Sequence, residues 1–197
     1  MIKCFIFDIG GVIIKYTNAE YYDYLNVVSR IGKAQIEANI EPLIAKLEMG
    51  EMDYRDFEDK ASTMLKIDKN ELRWMDFFKK NMIVNKDVLG IIRELGKKHK
   101  VAFLSNVDKP RYLHVIKLIH PELFDYKFAS CYLRMRKPDI EVYKYVVQKM
   151  GIKPNEAVFI DDRKENVYCA KVAKLHGIRF TDAKALEKSI AKILHQE

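Results

Sequence analysis

Five short apolar runs, each rich in β-branched or aromatic residues, constrain this chain most: Ile2–Phe7, Val101–Leu104, Phe128–Cys131, Ala157–Ile160 and Ile178–Phe180. After the second run the intervening segments have helical periodicity, so strand and helix alternate as in a parallel sheet built from crossover units. Segment Asp139–Met150 puts Ile140, Tyr143, Val146 and Val147 on one helical face, and Gly151 and Pro154 follow as stop signals. The last segment places Leu186, Ile190, Ile193 and Leu194 on one face behind Asp182 as a cap. The expected fold is α/β, a doubly wound parallel sheet with a Rossmann-like core.

Between the first and second runs the pattern changes. From Asn18 to Met82 the sequence reads as helix only, with breaks near Gly32, Gly50 and Asp68. That is too long for an ordinary crossover. The expected organisation is a discontinuous core, residues 1–16 and 84–197, with an inserted bundle of four short helices over 17–83. The competing arrangement lays these helices flat on one sheet face. A chain of 197 residues can bury a core large enough for either.

Composition narrows the partners. The formal charge is +7, but the lysines are scattered rather than gathered into a stripe, which argues against nucleic acid and for a field that attracts anionic small molecules. The densest cluster, Lys97, Lys98, His99 and Lys100, suits the end of a helix. No apolar run approaches the roughly 20 residues of a membrane span. The start of the chain lacks a signal-peptide pattern. Three widely spaced cysteines with no Cys-x-x-Cys pair point to a reducing, cytoplasmic setting. The five histidines show no metal-ligand spacing. Nothing decides between monomer and homodimer.

Chemistry is concentrated where the runs end. Asp8 closes the first run and precedes Gly10 and Gly11, which permit a tight turn and close backbone approach to an anion. Ligand sites of open parallel sheets lie at such carboxyl ends. Ser105 and Asn106 close the second run, and Asp161 and Asp162 close the fourth. Adjacent carboxylates repel unless a cation or hydrogen bonds offset them, and hard oxygen ligands suit magnesium. Lys137, in Arg136-Lys137-Pro138-Asp139, brings a point positive charge ahead of a helix. Taken singly, each of these also reads as an ordinary turn or cap residue.

In this order the four motifs resemble the haloacid dehalogenase superfamily, and the insert resembles its helical C1-type cap. The likeness extends over essentially the whole chain. It is nearest the glucose-1-phosphate phosphatase-like branch, with the N-terminal phosphatase domain of soluble epoxide hydrolases more distant. The resemblance implies a magnesium-dependent phosphatase acting on a small phosphorylated metabolite, such as a sugar 1-phosphate. In it Asp8 is the nucleophile and Lys137 neutralises charge around it. Gly10, Gly11, Ser105, Asn106 and Lys137 hold the phosphate. Asp8, the Gly10 carbonyl and Asp162 hold Mg2+, with Asp161 in the outer shell.

One position departs from that pattern. Family phosphatases usually carry a second Asp two residues after the nucleophile, where Gly10 stands. General acid–base groups are typically worth about 100- to 10,000-fold. Three readings follow: a substrate whose leaving group needs little protonation, a phosphonate hydrolase using one of Lys33, Lys46, Lys60 or Lys66, or a weakly active or inactive binding module. Tyr16, Tyr21, Tyr22, Glu51 and Trp74 are candidates for contacts to the non-phosphate part of the substrate, with Trp74 better suited to the core of the helical bundle.

Overall fold

Strand β1 (Cys4–Phe7) is buried along its whole length, which only a strand covered on both faces can be. In the computed structural model, which describes residues 1–16 and 18–195, it lies at the centre of a five-stranded sheet. Its neighbours are β4 (Lys100–Ser105) and β6 (Ala157–Asp161), with β5 (Tyr126–Ala129) and β7 (His176–Arg179) outside them. Every pairing is parallel, and Phe7 lies opposite both Phe103 and Ile160. The sheet direction reverses at β1, because the chain builds outward to β5 on one side and to β7 on the other.

Side-chain alternation along the strands divides the core in two. Phe5, Phe7, Phe103 and Ile160 face α6 (Lys86–Leu95), α7 (Lys109–Val115) and α11 (Ala183–Leu194). Ile6, Leu104 and Phe159 face α9 (Ile140–Lys149) and α10 (Lys164–Val172). The doubly wound sheet is therefore as expected. Asp182 caps α11 through the Ala185 N–H at 2.8 Å, and Leu186 and Ile190 are the residues of that helix that are fully buried.

Three sequence expectations are corrected. Ser130 and Cys131 leave the sheet in a single helical turn, α8 (Ser130–Leu133), because the buried Ser130 hydroxyl donates to the Glu48 carbonyl at 2.6 Å and so turns the chain inward. Lys97 to Lys100 follow α6 rather than finish it, and Lys100 opens β4 with an ion pair to Asp125 at 2.7 Å. Among the described residues the insert has five helices, not four: α1 (Asn18–Ser29), α2 (Lys33–Glu48), α3 (Tyr54–Leu65), α4 (Lys69–Leu72) and α5 (Trp74–Asn81). Arg73, at φ 44°, breaks the last segment in two and lets the Trp74 ring enter the bundle.

The insert has its own core, in which Tyr21, Phe57, Trp74 and Phe78 are buried together. Both chain crossings to the sheet are stitched into one short antiparallel ribbon, β2 (Ile14–Lys15) with β3 (Ile83–Val84), where Ile14 lies opposite Val84. The expected first residue of the cap, 17, and the last two residues of the chain lie outside the described residues.

Candidate active site

The ends of β1, β4 and β6 meet at the point where the sheet direction reverses, the usual place for a ligand in such folds. Asp8, Ser105 and Asp161 stand there, all buried. A fourth buried group, the Lys137 ammonium, lies between two carboxylates: 2.8 Å from Asp8 Oδ1 and 2.7 Å from Asp161 Oδ2. Lys137 is held from its backbone, since Asn106 accepts from its N–H at 2.9 Å and donates to its carbonyl at 2.8 Å. The Asn106 side chain is thus committed to fastening this loop. Its expected contact with phosphate is left to its backbone N–H.

Asp161 is enclosed. Its oxygens accept from Lys137, from Asn166 Nδ2 at 3.0 Å and from the Arg163 N–H at 2.9 Å. Asn166, which the motif reading did not single out, orients Asp161. Asp162 is only half-buried and lines the cavity with Asp8. Ligand oxygens of Asp8, Asp161 and Asp162 lie within 4.8 Å of one another. Gly11, at φ +75°, has to be glycine, because a Cβ there would collide with the Asp162 carboxylate.

Three carboxylates stand near one ammonium, which pairs with Asp8 and Asp161, and the surroundings show in the protonation of Asp8 and Asp162. Burial pushes the Asp8 carboxyl up to about 8; Lys137 opposes this and Asp161 reinforces it. Burial first, and then Asp161, also raises Asp162. Burial alone would lower Lys137, but Asp161 and Asp8 outweigh it and hold the ammonium above its ordinary value. A divalent cation beside the three carboxylates would supply the missing positive charge and favour their ionised forms. The donor set, all hard oxygen, fits magnesium.

The cavity above Asp8 has a volume of about 360 Å³. Gly10, Gly11, Ser105 and Lys137 line its floor, and Tyr16, Tyr22, Lys33 and Glu48 line the insert side. Of the expected specificity residues, Tyr16 and Tyr22 reach it. Tyr21 and Trp74 belong to the bundle core, the Tyr21 hydroxyl donating to the Leu72 carbonyl at 2.6 Å. Glu51 is exposed and does not line the cavity, because the chain turns outward at Gly50 (φ +66°). Lys33 is the one of the four candidate lysines that lines it, yet its ammonium is paired with Asp23 at 2.7 Å.

A second charged cluster joins insert to core. Arg111 is buried against Asp108, the α7 cap, and lies 3.0 Å from Glu48 Oε1. Arg136 Nη2 approaches Glu48 Oε2 at 3.0 Å, and the Trp74 Nε1–H reaches Asp108 at 3.4 Å. The sequence carried one local sign of this cluster, the Asp108-x-x-Arg111 spacing at a helix start.

The model of the haloacid dehalogenase-like hydrolases matches residues 2–174. The chain belongs to that family. Among relatives of this haloacid dehalogenase-like hydrolase, a sesquiterpene phosphatase of Aspergillus oryzae is 37% identical over 98 residues, 48% of this chain and 50% of the fungal protein. The chain therefore spans about half the length of that relative. A D-ribitol-5-phosphate phosphatase of Bacteroides thetaiotaomicron is 23% identical over 188 residues, covering 87% of this chain and 88% of the relative. A solved structure of a family enzyme from Bacteroides thetaiotaomicron, in complex with magnesium and inorganic phosphate, superimposes with a TM-score of 0.78 at 20% identity. It covers 92% of this chain and 95% of the other, a likeness of fold.

Proposed function

We propose that this chain is a magnesium-dependent phosphohydrolase that cleaves a small phosphorylated metabolite through an aspartyl-phosphate on Asp8. The observation that carries the reading is the surplus of negative charge at the strand ends, three carboxylates against one ammonium beside a cavity. Two phosphatases among the relatives and the magnesium- and phosphate-bound family enzyme support it.

In this reading Asp8, the Gly10 carbonyl and Asp162 hold Mg2+, and Asp161, whose oxygens are already engaged, acts through water. The bound ion supplies charge neutralisation between the anionic nucleophile and the anionic phosphate. Asp8 attacks phosphorus in line and divides one hard displacement into two easier ones. Lys137 stabilises charge that gathers on the phosphoryl oxygens, and Ser105 with the Asn106 N–H orients them, whereas the Gly11 N–H is taken by the Ile14 carbonyl at 2.8 Å. Residues 18–83 form the cap, which closes over Asp8 from the insert side. Residues 1–16 and 84–195 form the core.

The remaining cavity lining is mostly polar and includes Glu37, Glu41, Lys33 and Arg163. Such a wall suits a hydroxylated substrate, and a sugar 1-phosphate is the leading candidate. No helix among the described residues is long and apolar enough to cross a membrane, and a cytoplasmic setting accords with a metabolite substrate and free cysteines. A screen of phosphorylated metabolites, with sugar 1-phosphates and phosphonates included, run with and without Mg2+, tests the reading. Magnesium-dependent release of phosphate from at least one ester is expected. Ligand affinity with no turnover across the panel would make the chain a binding module.

A further inference from the structure

The position two residues beyond Asp8 has no side chain, and the structure fills that space from elsewhere. A Cβ built on Gly10 would stand 3.3 Å from the Tyr16 hydroxyl. Tyr16 comes from the ribbon that joins core to cap, and its ring packs edge-on against Phe78 at 5.2 Å. Both Gly10 and Tyr16 line the cavity with Asp8. A carboxylate at position 10 and this phenol would compete for one volume.

Three other proton-bearing side chains that line the cavity are already engaged. Lys137 is shared between Asp8 and Asp161, Arg111 between Asp108 and Glu48, and the Tyr22 hydroxyl donates to Glu41. No hydrogen bond to the Tyr16 hydroxyl occurs among the described residues. The phenol is nevertheless in the field of the site: burial raises its pKa, Arg111 opposes that, and Glu48, Asp8 and Asp108 add to it. Like any phenol it is protonated at neutral pH, a donor at the Gly10 position in the cavity that Asp8 also lines.

We infer that Tyr16 is a catalytic proton donor for the leaving oxygen, an assignment that rests on the phosphohydrolase reading above. As an Asp8 oxygen bonds to phosphorus, the bond from phosphorus to the ester oxygen breaks. Its electron pair stays on that oxygen, which takes the Tyr16 proton. In the second step the resulting phenolate takes a proton from the water that attacks the aspartyl-phosphate. Phosphate leaves, and Asp8 and Tyr16 return to their starting states. A phenol is a stronger acid than an alcohol, so an alkoxide leaving oxygen can take its proton.

The test compares Tyr16→Phe with wild type on Mg2+-dependent hydrolysis of a leaving-group series, from p-nitrophenyl phosphate through phenyl phosphate to glycerol phosphate. The phenylalanine keeps the packing on Phe78, so the thermal midpoint should not move. The value of kcat/KM, which reports the first chemical step, should fall about 100-fold or more for glycerol phosphate. For p-nitrophenyl phosphate, whose leaving group needs no proton, it should change by less than about threefold. An equal loss across the series, or no loss, would overturn the assignment. Wild-type protein that hydrolyses none of the esters with Mg2+ would overturn the underlying reading instead.

Discussion

Two buried charged clusters border the same cavity, and they differ in balance. At the strand ends Asp8, Asp161 and Asp162 face the single ammonium of Lys137. At the seam between insert and core, Glu48 and Asp108 face Arg111 and Arg136, two against two. Burying an uncompensated charge costs several kcal/mol, and balance removes much of that cost. The balanced cluster can therefore serve as a fastening, while the unbalanced one is complete only with an added cation. Similar residue types are used in both, and the arithmetic of charge separates a site from a seam.

The comparison can be broken in several ways. The largest effect is expected from Lys137→Met, which removes the ammonium between Asp8 and Asp161. Turnover should fall by roughly 1,000-fold, as for loss of a preorganised charge stabiliser. Stability should fall by about 3 kcal/mol where Mg2+ is absent, as read by urea unfolding. Asp108→Asn should be the reverse case. It strips a charge from the balanced cluster and should cost about 2–3 kcal/mol in urea unfolding, while the folded variant keeps turnover within about threefold. An Asp108 variant that is stable but inactive would dissolve the distinction between the two clusters.

Metal supply sharpens it further. At a Mg2+ concentration one hundred times its dissociation constant, binding to the native state should add about 2.7 kcal/mol to unfolding. EDTA should remove that increment, and Asp162→Asn should abolish most of it. An equal increment in Asp162→Asn would place the metal elsewhere. The smallest effect concerns apolar rather than charged burial. Burial pushes the Cys4 thiol up to about 12 and the Cys131 thiol up to about 11. Both should remain protonated between pH 7 and 9, so iodoacetamide labelling of the native protein, followed by peptide mass spectrometry, should stay slow over that range. A tenfold rise in labelling across it would show that these thiols are not held as described.

Legibility in the sequence followed the same division. The strand runs were readable because both faces of the sheet are covered, which leaves short apolar segments with no polar alternation. Asp8, Ser105 and Asp161 were readable because each closes such a segment, a local signal. Singly each also reads as a turn or cap residue, as Lys137 does before Pro138, and only the order of the four motifs joins them into one candidate site. The seam was not readable. Glu48 and Arg111 lie 63 positions apart, and nothing near either names the other. Asn166 was missed because its partner Asp161 is chosen by how α10 leaves β6. The fifth helix was missed because Arg73 adopts a left-handed conformation that its residue type does not advertise. Tyr16 was visible as a candidate contact, but its relation to Gly10 exists only once the ribbon folds back over the first turn.

Turnover by wild type and Asp8→Asn, assayed in parallel with and without Mg2+ on one ester from the screen, tests the central claim most directly. Wild type should release phosphate only with Mg2+. Asp8→Asn should fall to background, a loss of up to about 10⁶-fold, with its unfolding transition still cooperative. Magnesium-dependent turnover retained by Asp8→Asn, or wild-type turnover indifferent to Mg2+, would contradict the account.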